Sequence, residues 1–94
     1  MAKPHYDCYR PHTEPAATIY DAFQCEASKR KNNKNWIELE RHAVYFAACG
    51  CAKKFGLREP TMKEVERAEN DSIGSADYGS KWAIKVGNIM KGVE

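Results

Sequence analysis

Asn35 to Gly56 reads NWIELERHAVYFAACGCAKKFG, and this stretch decides the fold class. Asn35 and Glu38 stand at the spacing of a capping box, and Gly56 is a natural residue for closing a helix in the left-handed conformation. Between them no proline interrupts, so a helix is predicted over 36–55, about 30 Å long. Its apolar residues, Trp36, Ile37, Leu39, Ala43, Val44, Phe46, Ala47, Ala48 and Cys51, are spread around much of the circumference, as expected for a central helix.

Upstream, Lys29-Arg30-Lys31-Asn32-Asn33-Lys34-Asn35 is polar and makes a basic turn. Before it, Ala16, Ile19, Tyr20, Phe23 and Ala27 recur at helical spacing, with Thr13 as cap and Pro15 in the first turn, predicting a helix over 14–30. Residues 1–13 show no period and read as an irregular arm. Downstream, Thr61-Met62-Lys63-Glu64 is a capping box behind Pro60, opening a helix over 62–73 with Met62, Val65 and Ala68 as a narrow stripe and Gly74 at its close. A fourth helix over 77–91 starts at Ser75 or Asp77. Trp82, Val86, Ile89 and Val93 are expected on one face of it, and Lys81, Lys85 and Asn88 on another. Gly79, Gly87 and Gly92 weaken this helix, so its ends fray or something packs closely against it. No stretch alternates like a strand. The prediction is a single all-α domain, a compact antiparallel bundle of about four helices with an irregular N-terminal arm, joined by short connections.

Composition narrows the function classes. The 94 residues carry a net charge of +2, which excludes both a polycation and an acidic nucleic-acid mimic. No apolar run approaches the ~20 residues of a membrane helix, and Met1-Ala2-Lys3-Pro4-His5-Tyr6 has no signal-peptide core, so no membrane partner and a cytoplasmic location are expected. Ile, Leu, Val and Phe number only fourteen, so the core is lean and leans on aromatics and alanine. In a reducing compartment Cys8, Cys25, Cys49 and Cys51 read first as buried free thiols, with a metal site or self-association as other supports for so small a core.

Four places could carry chemistry. His5-x2-Cys8-x3-His12, completed by Cys25 or His42, offers zinc ligands at a spacing that matches no standard module, and ordinary polar histidines with buried cysteines account for it better. No metal or other cofactor is therefore expected. Cys49 and Cys51 do not assist, being about 200° apart on a helix. Lys29, Arg30, Lys31 and Lys34, followed by Trp36, could neutralise phosphates and stack a base, although a solvated loop explains the same charges. The corner from Gly74 to Lys81 could hold an anion on backbone N–H groups with Ser80 and Lys81, but lacks the P-loop spacing and carries Asp77, which repels phosphate. No nucleophile and base stand together: His42 and Cys49 lie about 10 Å apart along one helix, too far for a dyad. An enzyme is not expected.

The C-terminal third, Pro60-Thr61-Met62-Lys63-Glu64-Val65-Glu66 and then Ala76-Asp77-Tyr78-Gly79-Ser80-Lys81-Trp82-Ala83, resembles small uncharacterised phage-encoded helical proteins. In these an acidic helix is likewise followed by a Gly-x-x-Asp-Tyr corner and a Lys-aromatic-Ala helix. The resemblance brings no activity and no functional residues. It implies a phage gene product in a bacterial cytoplasm, where such proteins often bind a host protein and alter it. The leading expectation is thus a regulator or inhibitor that binds a host protein, with Trp36, Tyr45, Tyr78 and Trp82 as aromatic anchors. The alternative is a nucleic-acid or nucleotide binder using the basic turn and the Gly74–Lys81 corner. Self-association through the exposed side of helix two or four is a further reading, a homo-oligomer.

Overall fold

Local chemistry at the helix ends sets the element boundaries in the computed structural model, which describes residues 10–93. The described residues form α1 (Ala16–Ala27), a 3₁₀ turn (Arg30–Asn32), α2 (Trp36–Phe55), α3 (Met62–Ser72) and α4 (Tyr78–Lys91), with no strand. The chain is an all-α bundle.

Not every expected cap forms. At α1 the side chain of Glu14, rather than Thr13, accepts from Thr18 N at 3.2 Å and from Thr18 Oγ1 at 2.7 Å, while Thr13 supplies only its carbonyl to Ala17 N. Asn35 makes no capping bond, because its backbone (φ −99°, ψ 34°) lacks the extended geometry that aims a side-chain oxygen at the first free N–H groups. Thr61 has that geometry (φ −90°, ψ 161°), and its capping box with Glu64 is complete. Gly56 (φ 68°) and Gly92 (φ 76°) close α2 and α4 in the left-handed conformation that glycine adopts without strain. Val93, expected on the apolar face of the last helix, therefore lies beyond it and is exposed. The first helix is also shorter than 14–30: it unwinds at Ser28, and the 3₁₀ turn that follows aims Arg30 back at the bundle.

Side-chain contacts give the neighbours opposite directions. Phe23 meets Gly79 while Pro15 meets Gly87, so α1 and α4 run antiparallel. Arg41, early in α2, reaches Glu66 and Glu69 late in α3, which makes that pair antiparallel too. The core is Ile19, Tyr20 and Phe23 of α1, Val44, Ala48 and Cys51 of α2, Val65 and Ala68 of α3, and Trp82, Ala83, Val86 and Met90 of α4.

The most deeply buried helix is α4 rather than α2, although each of the two packs against all three other helices. Eight α4 residues are buried, among them Gly79 and Gly87, whose missing side chains let α1 approach. By contrast α2 buries Glu40, Val44, Ala48, Cys51 and Ala52, while Ile37, Leu39 and Phe46 stay in solvent. Its apolar residues cover more circumference than three neighbours can occupy. Among the described cysteines Cys51 is buried, Cys49 is half-buried and Cys25 is exposed, all as free thiols. Burial pushes the Cys51 thiol up. No helix of the described residues is long and apolar enough to cross a membrane.

Candidate functional site

A cleft of about 290 Å³ opens where the start of α2, the end of α3 and the start of α4 converge, lined by Arg30, Trp36, Ile37, Arg41, Glu69, Ile73, Gly74 and Tyr78. Its floor is charged but internally compensated. Arg30 donates to Glu40 through Nε (2.6 Å) and Nη2 (2.9 Å), and Nη2 also donates to Tyr78 Oη at 2.8 Å. Tyr78 Oη in turn donates to Glu40 Oε1 at 3.3 Å. The guanidinium carbon sits 4.4 Å from the centre of the Trp36 ring, a stacking distance for a cation on an aromatic face. One turn along α2, Arg41 donates to Glu69 and, at 3.0 Å, to Glu66.

These contacts fix the protonation states. Carboxylate hydrogen bonds raise the pKa of Arg30 and of Arg41 further above the ordinary arginine value, from Glu40 and Glu69 respectively. Tyr78 is pushed up to about 12, first by burial and then by the negative charge of Glu40, so its hydroxyl stays neutral and able to donate. With both arginines matched to carboxylates, the floor offers little to an anion. The rim is apolar and open: Ile37 is 45% and Ile73 62% exposed. An apolar side chain entering between the two isoleucines would cover both and rest against Trp36 and Tyr78.

Of the four aromatic anchors the fold brings Trp36 and Tyr78 together here. Trp82 is not an anchor: it is wholly buried, its Nε1 donates to the Val65 carbonyl at 3.0 Å, and its ring packs edge-on against Phe23. Tyr45 lies elsewhere on α2, half-buried beside Phe46, with its phenol raised by a hydrogen bond with Cys49. The basic turn does not present four unpaired charges. Arg30 is committed to Glu40, and Lys29 Nζ is 3.6 Å from Glu26, leaving Lys31 and Lys34 exposed without an ion pair among the described residues.

At the Gly74–Lys81 corner, Ser80 is buried and Lys81 Nζ turns back to Ser75 Oγ at 3.2 Å. The corner roofs a second cavity of about 220 Å³ whose lining includes Tyr20, Phe23, Gln24 and Asp77; its one cation among the described residues, Arg30, is already paired. Of the zinc set, His5 and Cys8 lie outside the described residues, and His12 and Cys25 are exposed. Among the described residues no three His, Cys, Asp or Glu side chains gather as a metal site would require.

Glu40, Arg41, Glu69 and the isoleucine rim were not singled out by sequence reasoning. A signal for Glu40 exists: it falls in line with Trp36, Val44 and Ala48, a carboxylate inside an apolar stripe. Glu69 interrupts the Val65–Ser72 stripe of α3 in the same way. Compared with protein-family models, curated proteins and solved structures, the chain matches none.

Proposed function

We propose that the chain acts by binding another protein, which inserts an apolar side chain into the cleft between Trp36, Ile37, Ile73 and Tyr78. One observation carries this reading: two aromatic anchors forty-two positions apart in sequence meet beside two isoleucines left in solvent, over a floor whose charges are already neutralised. Exposed single aliphatics are ordinary, but a concave apolar group with aromatic walls is the kind of place where interface hot spots form. In the phage setting that the resemblance implies, the partner is a bacterial host protein and the chain is its regulator or inhibitor. The nucleic-acid alternative has less support, since Arg30 is withdrawn from the basic turn and Asp77 stands at the corner cavity.

The test is capture of host protein by the wild type, by Ile73→Asp and by Lys29→Ala/Lys31→Ala/Lys34→Ala, with affinity then measured for the captured species. Ile73 is exposed, so its replacement leaves the fold intact. Loss of about 30-fold or more in affinity with Ile73→Asp and little change with the lysine variant is expected. The reverse pattern, with affinity falling steeply in salt, would establish phosphate binding instead.

A further inference from the structure

We propose that α2 pairs antiparallel with α2 of a second copy of this chain, through the ridge Leu39, Phe46 and Lys53. This surface is separate from the cleft: at 100° per residue, Phe46 falls about 180° round the helix from Ile37. It also points about 160° from the buried Val44 and Ala48, directly away from the core. Phe46 is 64% exposed and Leu39 39%, and the rings of His42 and Tyr45 stand beside Phe46 at 6.0 and 5.6 Å. The three ridge residues are spaced seven apart, the repeat that keeps one seam facing a partner helix.

The ridge is self-complementary in the antiparallel sense. Around a two-fold axis through Phe46, His42 faces Gly50 of the other copy and Leu39 faces Lys53. Gly79 and Gly87 are explained by the approach of α1, but a Cβ on Gly50 would meet nothing within 4 Å among the described residues. In the middle of an exposed helix face such a glycine only weakens the helix, unless it is the hole into which the neighbouring helix sets a side chain. Charge selects the direction. Glu38 lies in the first turn of α2 and Lys53 in the last, and neither makes an ion pair among the described residues. In an antiparallel pair, each Lys53 lays its stem along Leu39 and brings its ammonium to Glu38, twice by symmetry. A parallel pair would set like charges together. The helix dipoles also oppose each other favourably in the antiparallel arrangement.

From Leu39 to Lys53 the ridge is about 21 Å long. One helix against one helix over that length lies at the low end of stable interfaces, below ~1,200 Å², so the pairing is weak and concentration-dependent.

Sedimentation equilibrium of the reduced chain over about 5–500 µM decides the matter. The wild type is expected to move from 10.7 kDa toward twice that mass, and Phe46→Asp to stay at 10.7 kDa throughout with an unchanged circular-dichroism spectrum. Glu38→Lys should raise the Kd about tenfold, and Glu38→Lys/Lys53→Glu should restore it. A single chain at the highest concentration would overturn the proposal, and so would a dimer that survives Phe46→Asp or is strengthened by Glu38→Lys alone. Ile73→Asp should leave the mass unchanged. Should it abolish the dimer, the cleft is the contact and the α2 ridge is not. Loss of host binding with an intact dimer, or the converse, separates this proposal from the function proposed for the cleft.

Discussion

Arg30 Nε donates to Glu40 Oε2 at 2.6 Å, and the carboxylate it reaches has no solvent exposure at all. A buried carboxylate is costly unless its lone pairs are occupied. Here two guanidinium bonds and the Tyr78 hydroxyl occupy them, and the guanidinium lies over the Trp36 ring. The turn after α1, the first turns of α2 and the start of α4 are thereby held by one side chain, and the cleft depends on it.

Removing that cation should be far more damaging than removing its lysine neighbours. Arg30→Ala is expected to lower unfolding free energy by about 3 kcal/mol, because it strands Glu40. Lys31→Ala and Lys34→Ala, on exposed side chains, should stay within about 0.5 kcal/mol. Replacing both partners, as Arg30→Met with Glu40→Leu, should recover most of the loss. Urea denaturation of the four variants beside the wild type checks this, and equal losses for Arg30 and Lys31 would refute the assigned role.

The glycines of α2 and α4 should respond in opposite directions. A Cβ at Gly79 would stand 2.5 Å from Phe23 Cε2, and that ring packs edge-on against both Tyr78 and Trp82, so shifting it disturbs both contacts. Gly79→Ala should cost about 1–3 kcal/mol. Gly50→Ala meets nothing among the described residues and should stabilise the monomer by about 0.5–1 kcal/mol through helix propensity. Thermal melts at low micromolar concentration, where chains are separate, give both signs.

How much of this was legible in the sequence differs from element to element. The Thr61–Glu64 cap was, because both partners lie within one turn and their geometry is local. The helical period of Ile19, Tyr20 and Phe23 was legible for the same reason. The Asn35 cap was not, since its backbone conformation is set by the 3₁₀ turn before it, whose course depends on Arg30 reaching Glu40. Nor was the deep burial of α4, because its glycines read locally as weak points and only the approach of α1 gives them a purpose. The cleft joins residues from three helices and a turn. Sequence reasoning named Trp36 and Tyr78 one by one, but their meeting is a property of the packing.

The two tryptophans should report the packing separately. Trp82 is sealed in the core, whereas Trp36 is half-buried at the cleft. Acrylamide should quench the fluorescence of Trp82→Phe, which retains only Trp36, several times more readily than that of Trp36→Phe. Trp82→Phe also leaves the Val65 carbonyl without its indole donor and should cost about 1–3 kcal/mol. Equal quenching of the two variants would contradict the burial of Trp82.

Alkaline pH should act through Tyr78. Its folded pKa is raised from 10.0 to about 12, so the fold favours the neutral phenol. Below pH 10 both folded and unfolded states are protonated and the contribution to stability is whole. Between 10 and about 12 the unfolded chain ionises while the folded one resists, and stability falls with each step in pH until the folded phenol titrates as well. Tyr78→Phe cannot ionise, so its stability should decline less than that of the wild type between pH 9.5 and 11.5, even though it is lower at neutral pH for want of the Glu40 hydrogen bond. Urea titrations of the two proteins at those two pH values supply the comparison. Parallel declines would mean that the phenol titrates freely in the folded protein, and that the Arg30–Glu40–Tyr78 cluster is open to solvent.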